Sequence, residues 1–131
     1  EFLETSISGI FAAGNVLAIN DYVDFASYQG EKAAKSAEKY IENEGLEKEK
    51  WIEIKKGRNI RLVVPHLLCG DNDVTLYARV KKPEPHVDIV ISEIDEKIKY
   101  TSVNPGEMIR LDISKEMLND LDDELTLEVR R

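Results

Sequence analysis

Val74-Thr75-Leu76-Tyr77-Ala78-Arg79-Val80 places Leu76, Ala78 and Val80 on one side, and Val87-Asp88-Ile89-Val90-Ile91-Ser92 does the same with Val87, Ile89 and Ile91. Successive side chains of a strand point to opposite faces, so this two-residue period marks strands with one face turned to a core. Working outward, residues 51–55, 59–67, 97–102, 107–112 and 125–129 read as further strands. Turn residues punctuate them at Lys56-Gly57, Gly70-Asp71-Asn72-Asp73, Lys82-Pro83-Glu84-Pro85, Ile94-Asp95-Glu96 and Asn104-Pro105-Gly106. Short strands spaced in this way predict a small immunoglobulin-like β-sandwich over residues 46–131. A helical turn over 114–121, capped by Ser114, is expected before the last strand. Carboxylates in this half are dispersed over alternating exposed positions, as a solvated sheet face requires, and none is grouped for catalysis. The half reads as an accessory interaction or dimerisation module, or as a terminal domain that covers a neighbour.

Before residue 45 the period is helical. A helix is predicted from about Tyr22 to Glu44, with Asp21 as its cap, Asp24 as the acidic partner three residues on, and Gly45 as the stop. Ala26, Gly30, Ala33, Ala34, Ala37 and Ile41 recur at three- and four-residue spacing, while Glu31, Lys32, Lys35, Glu38, Lys39 and Glu42 mostly take the other face. Such a small-residue stripe permits close approach to a neighbour. Gly30 costs about 1 kcal/mol relative to Ala in a helix interior, so the contact should repay it.

Upstream lies Thr5-Ser6-Ile7-Ser8-Gly9-Ile10-Phe11-Ala12-Ala13-Gly14-Asn15-Val16. The apolar run Ile10 to Ala13 reads as a strand buried on both faces of a parallel sheet, and Gly14 as a tight turn with no Cβ to obstruct a ligand. Asn15 then stands at the carboxyl end of that strand, where open α/β sheets bind nucleotides.

This stretch resembles the second FAD-contacting motif of the two-dinucleotide-binding-domain flavoproteins, the group that includes thioredoxin reductase and NAD(P)H-dependent FAD oxidoreductases. Their pattern is a Thr-rich lead-in, Gly-Ile-Phe-Ala-Ala-Gly-Asp, a loop and a helix. Asn15 stands in place of the usual aspartate, which binds the ribityl chain, and Asn20-Asp21-Tyr22-Val23-Asp24 stands at the helix start, near the pyrimidine end of the isoalloxazine ring. The Asn-Val-Leu variant is similar to a subgroup likened to thioredoxin reductase or the alpha subunit of sarcosine oxidase. The resemblance implies FAD as cofactor, with Gly14, Asn15, Val16, Tyr22, Val23 and Asp24 as its contacts. It also implies a reduced flavin whose negative charge is met by the positive end of the helix. NAD(P), if used, would bind outside this chain.

The resemblance stops near residue 44, and neither Gly-x-Gly-x-x-Gly nor Cys-x-x-Cys occurs in the chain. The expected organisation is α+β, mainly β with one long N-terminal helix. Residues 1–45 form the closing strand-turn-helix of an FAD-binding α/β domain, and residues 46–131 the sandwich. The expected function is the C-terminal part of an oxidoreductase moving electrons between a pyridine nucleotide and another substrate or acceptor, inactive by itself. Its partner is the remainder of the flavoprotein, and a homodimer is a further expectation. The alternative is a non-enzymatic β-sandwich interaction or dimerisation module, favoured if the segment before the helix is exposed.

Composition bounds these readings. A net charge of −8 over 131 residues argues against nucleic acid, which requires a basic patch. The short basic clusters Lys55-Lys56-Gly57-Arg58 and Lys81-Lys82 read as turn residues and not as a binding stripe. No run approaches the ~20 apolar residues that span a bilayer. One cysteine permits no internal disulfide and favours a reducing cytoplasm. His66 and Cys69 offer two ligands where a structural zinc site takes four.

Overall fold

The computed structural model describes residues 1–46, 50–119, 121 and 123–131, and the chain divides into two compact units, Glu1–Glu49 and Lys50–Arg131. It is mainly β, with two sheets and one long helix among the described residues.

In the first unit, α1 runs over Val23–Glu42. Tyr22, not Asp21, is the N-cap residue, and its side chain makes no capping bond. At the other end Gly45 N–H donates to the Tyr40 carbonyl at 2.9 Å, and Glu44 takes the left-handed conformation at φ 53°. The chain therefore closes the helix with a Schellman-type turn whose left-handed residue is Glu44, one position before the expected glycine.

Ile10 to Ala13 do not form a strand buried on both faces. Phe11 makes an isolated antiparallel bridge with Glu4, and Ile10 is 50% exposed. Backbone bonds Thr5 N–H to Ile10 O, Ile10 N–H to Ile7 O and Ala12 N–H to Leu3 O fold residues 3–12 back on themselves. A parallel strand needs a partner reached through a crossover, and the described part of this unit holds no second strand long enough to supply one. The polar backbone groups are satisfied locally instead. Phe11 then meets Tyr40 of α1 edge to face, ring centres 6.1 Å apart.

The covered face of α1 is also rotated from the expected stripe. Gln29 and Ser36 are buried and Phe25, Ala26, Ala33, Ala37 and Tyr40 half-buried, whereas Gly30 and Ala34 are exposed and Ile41 is 77% exposed.

The second unit has β1 (Ile52–Lys56), β2 (Ile60–Val64), β3 (Leu67–Leu68), β4 (Val74–Val80), β5 (Glu84–Ile91), β6 (Glu96–Val103), β7 (Ile109–Ile113) and β8 (Glu124–Arg130), with the short helix α2 (Lys115–Leu118) before β8. One sheet has the order β3-β1-β8-β5-β6 and the other β2-β4-β7. The expected strand over 59–67 is two strands in different sheets. Pro65 has no N–H to continue a ladder, so β2 ends at Val64 and β3 pairs with β1. β5 begins at Glu84, inside the predicted turn. β1 and β8 pair in parallel, Ile54 opposite Leu125. The expected turn at 114–121 shortens to α2. Lys115 N–H is held by the Asp73 carboxylate at 2.9 Å and not by Ser114, and Asp120 lies outside the described residues.

Alternate residues of both sheets meet in an apolar cluster, including Ile54, Leu125, Leu127 and Ile89 from the first and Leu76, Ala78, Leu111 and Val63 from the second. At ~25 cal/mol per Å² of apolar area removed from water, each fully buried Leu or Ile here contributes on the order of 2 kcal/mol.

Candidate functional site

Gly14 opens a single 3-10 turn, Gly14–Val16, that follows the folded-back segment. Its φ is 68°, while the nearest atom to an added Cβ would be Ala26 Cβ at 4.0 Å. Space exists for a side chain, but the left-handed backbone favours glycine. Gly14 N–H donates to Gln29 Oε1 at 3.0 Å, so it is spent inside the unit and does not face a ligand. Asn15 Oδ1 accepts Asn20 N–H at 3.1 Å. Asn20 in turn donates through Nδ2 to the Ala18 carbonyl (2.9 Å) and to Gln29 Oε1 (3.3 Å), and Gln29 Nε2 donates back to Asn20 Oδ1 at 3.0 Å.

The loop from Gly14 to Asn20 is thus pinned to the second turn of α1 by one amide, Gln29, which is 1% exposed. A buried amide is costly unless its donors and acceptors are engaged, and here they organise the turn. Gln29 and Asn20 carry this geometry, although neither was among the expected contact residues. The signal for Gln29 was a polar residue at helical spacing from Phe25 and Ala33 on the covered face.

Of the expected contacts, Gly14 is half-buried and Asn15, Val16, Tyr22, Val23 and Asp24 are exposed. Tyr22 stacks edge to face on Phe25, ring centres 5.4 Å apart. Asn15 presents its amide to solvent with the oxygen already engaged, which leaves Nδ2 as the group turned outward. The first turn of α1, with no side-chain cap, offers backbone N–H groups beside Val23 and Asp24. A polar donor and an uncapped helix start are suited to an anionic or hydroxyl-rich ligand.

In the second unit the tightest polar assembly surrounds Glu84, which is 8% exposed. Its carboxylate accepts from Arg58 Nη2 at 2.6 Å, Asn59 Nδ2 at 2.8 Å and Arg131 Nε at 3.1 Å. The hydrogen bond from Arg58 is the main reason its pKa lies below the ordinary 4.5, with Arg131 adding to it and desolvation opposing. Every bond here holds the start of β5 to the turn after β1 and the end of β8, so the carboxylate is a clasp. A folded pKa below the unfolded one gives stability that is complete above about pH 4.5 and fades as pH falls through the folded value. Glu84→Gln should therefore destabilise the chain at pH 7, with a smaller deficit near pH 3, as read by urea denaturation. An equal deficit at both pH values would reject the clasp.

Among the described residues no group of three or more His, Cys, Asp or Glu could hold a metal ion. Cys69 is buried, its thiol 3.2 Å from Asp71 Oδ2. No helix among these residues is long and apolar enough to cross a membrane. No protein-family model matches the chain, and neither a curated protein nor a solved structure shows significant similarity to it.

Proposed function

We propose that residues 1–45 form the closing turn and helix of an FAD-binding domain, that residues 46–131 form an immunoglobulin-like β-sandwich attached to it, and that the whole protein is an FAD-dependent oxidoreductase using a pyridine nucleotide bound elsewhere. The observation that carries this reading is the loop Gly14–Asn20, fastened by Gln29 so that Asn15 faces outward beside an uncapped helix start. The sequence motif around it supplies the choice of FAD. Exposed Ile7, Ile10, Val16, Ile19, Val23 and Ile41 support a unit made to be covered by more protein. The shared apolar cluster of the two sheets supports a sandwich.

On this reading Asn15 would hold the ribityl or phosphate oxygens through Nδ2, and Val23 and Asp24 would act through backbone N–H groups at the flavin's pyrimidine edge. Asn15→Leu in the whole protein should raise the FAD dissociation constant about tenfold, which is ~1.4 kcal/mol, roughly one hydrogen bond to a polar ligand. Flavin retained without loss after extensive dialysis of that variant would remove Asn15 from the site. The isolated chain should show no stoichiometric micromolar binding in a flavin-fluorescence titration, because most of the cofactor's contact surface would lie elsewhere.

The exposure of residues 5–10 favours a second reading, in which the chain is an interaction module whose N-terminal unit docks a protein partner and binds no flavin.

A further inference from the structure

The topology sorts the charges of the second unit by end. The turn after β1, the β4–β5 turn and the end of β8 are tied together by Gly57 N–H to Leu127 O (2.8 Å), Val129 N–H to Arg58 O (3.0 Å) and Lys81 N–H to Asn59 O (2.9 Å). Asn59, at φ 60°, also accepts Lys82 N–H through Oδ1 at 2.9 Å. Lys56, Arg58, Lys81, Lys82 and Arg131 are thereby gathered at one end, all exposed. The carboxylates with them are Glu84, already enclosed by Arg58 and Arg131, Glu128 beside Gly57, which is paired with Arg130, and Glu107 on the β6–β7 loop, which accepts from Asn104. Lys56, Lys81 and Lys82 make no ion pair among the described residues.

At the other ends of the same strands stand Asp71, Asp73, Glu93, Asp95, Glu116 and Asp123, again all exposed. Glu93 is fixed there by Thr126 N–H at 3.1 Å and Asp73 by Lys115 N–H. The cations toward that end are Lys115, Lys97, which pairs with Asp88 at 2.8 Å, Lys55, which bridges Glu53 and Glu124, and Lys50, whose ammonium donates to the Leu121 carbonyl at 3.1 Å. A seven-residue strand separates the two ends by ~23 Å. That exceeds twice the ~8 Å Debye length at 0.15 M salt, so each end presents its own sign despite the net charge of −8.

From this juxtaposition we infer that the second unit is a bipolar docking module whose basic end receives the acidic end of another copy of the same chain, head to tail. The ends are different surfaces, so the contact is heterologous and open: a dimer keeps one free end of each kind and extends with concentration. The lysine side chains are long and hydrated, so association is weak and carried by long-range attraction. It is distinct from a dimer made through the apolar surface of the first unit, which salt would not weaken.

Sedimentation of the full chain tests this. At about 25 mM salt the apparent association constant should be at least ~10-fold above that at about 300 mM, with species larger than dimers at high concentration. Lys81→Glu with Lys82→Glu should be monomeric, as should Glu116→Lys with Asp123→Lys. An equimolar mixture of the two variants should associate again, because the intact acidic end of the first meets the intact basic end of the second. Either variant mixed with the unmodified chain should shorten its assemblies. Lys32→Glu with Lys35→Glu makes the same change in net charge on α1 and should associate as the unmodified chain does. A monomer at every salt concentration, association that survives the Lys81 and Lys82 reversals, or equal loss in the α1 variant would each overturn the inference.

Discussion

Leu127→Ala should lower the free energy of unfolding by about 2–5 kcal/mol. Leu127 is fully buried on β8, the strand that pairs in parallel with β1 on one side and antiparallel with β5 on the other. Its side chain lies in the apolar cluster shared by both sheets. Truncation forfeits the transfer energy of three carbons and leaves a cavity, because strands bonded on both edges cannot collapse inward. Urea denaturation should show the midpoint falling with the slope unchanged. A loss below about 1 kcal/mol would mean that β8 is not central to this core.

Gly57→Ala should cost about 1–3 kcal/mol although it adds one methyl group to a turn. The new Cβ would lie 2.7 Å from Glu128 Cβ, 3.0 Å from Thr126 Cγ2 and 3.1 Å from the Leu127 carbonyl oxygen. Gly57 N–H donates to that same carbonyl at 2.8 Å, so the turn cannot withdraw without losing the bond that continues the parallel pairing. Gly106→Ala is the matched control, since nothing lies within 4 Å of its Cβ position. Equal stabilities for the two variants in thermal unfolding would show that the turn after β1 is free to move.

The strands were legible because burial of one face imposes a two-residue period, and β4 occupies the residues its alternation marks. Their order was not. The parallel pairing of β1 with β8 joins the two ends of the unit, and no local pattern encodes a partner that distant. Pro65 carries a usable signal, for a residue without an N–H inside an expected nine-residue strand marks the place where the chain changes sheets. In the first unit, counting Ala and Gly as a buried stripe misplaced the covered face, because burial there is set by hydrogen bonding. Gln29 is enclosed to hold Gly14 and Asn20, whereas Ile41 is exposed. The run Ile10 to Ala13 was read as a strand from hydrophobicity alone, a pattern that does not say whether a sheet is there to receive it. Lys55-Lys56-Gly57-Arg58 and Lys81-Lys82 read as turn residues; Lys81 and Lys82 are, whereas Lys55 and Lys56 close β1, and the assembly of Lys56, Arg58, Lys81 and Lys82 with Arg131 at one end is a product of topology.

The electrostatic sorting of the second unit and the pinned loop of the first are separate features, and each can fail without the other. The loop decides the central claim. Purification of the whole protein under gentle conditions, followed by absorbance and acid release of the cofactor, measures it directly. The account predicts about one FAD per chain, lost on dialysis far more readily when Asn15 is replaced by Leu. A colourless whole protein that takes up no added FAD would contradict it, and would leave the chain as an interaction module.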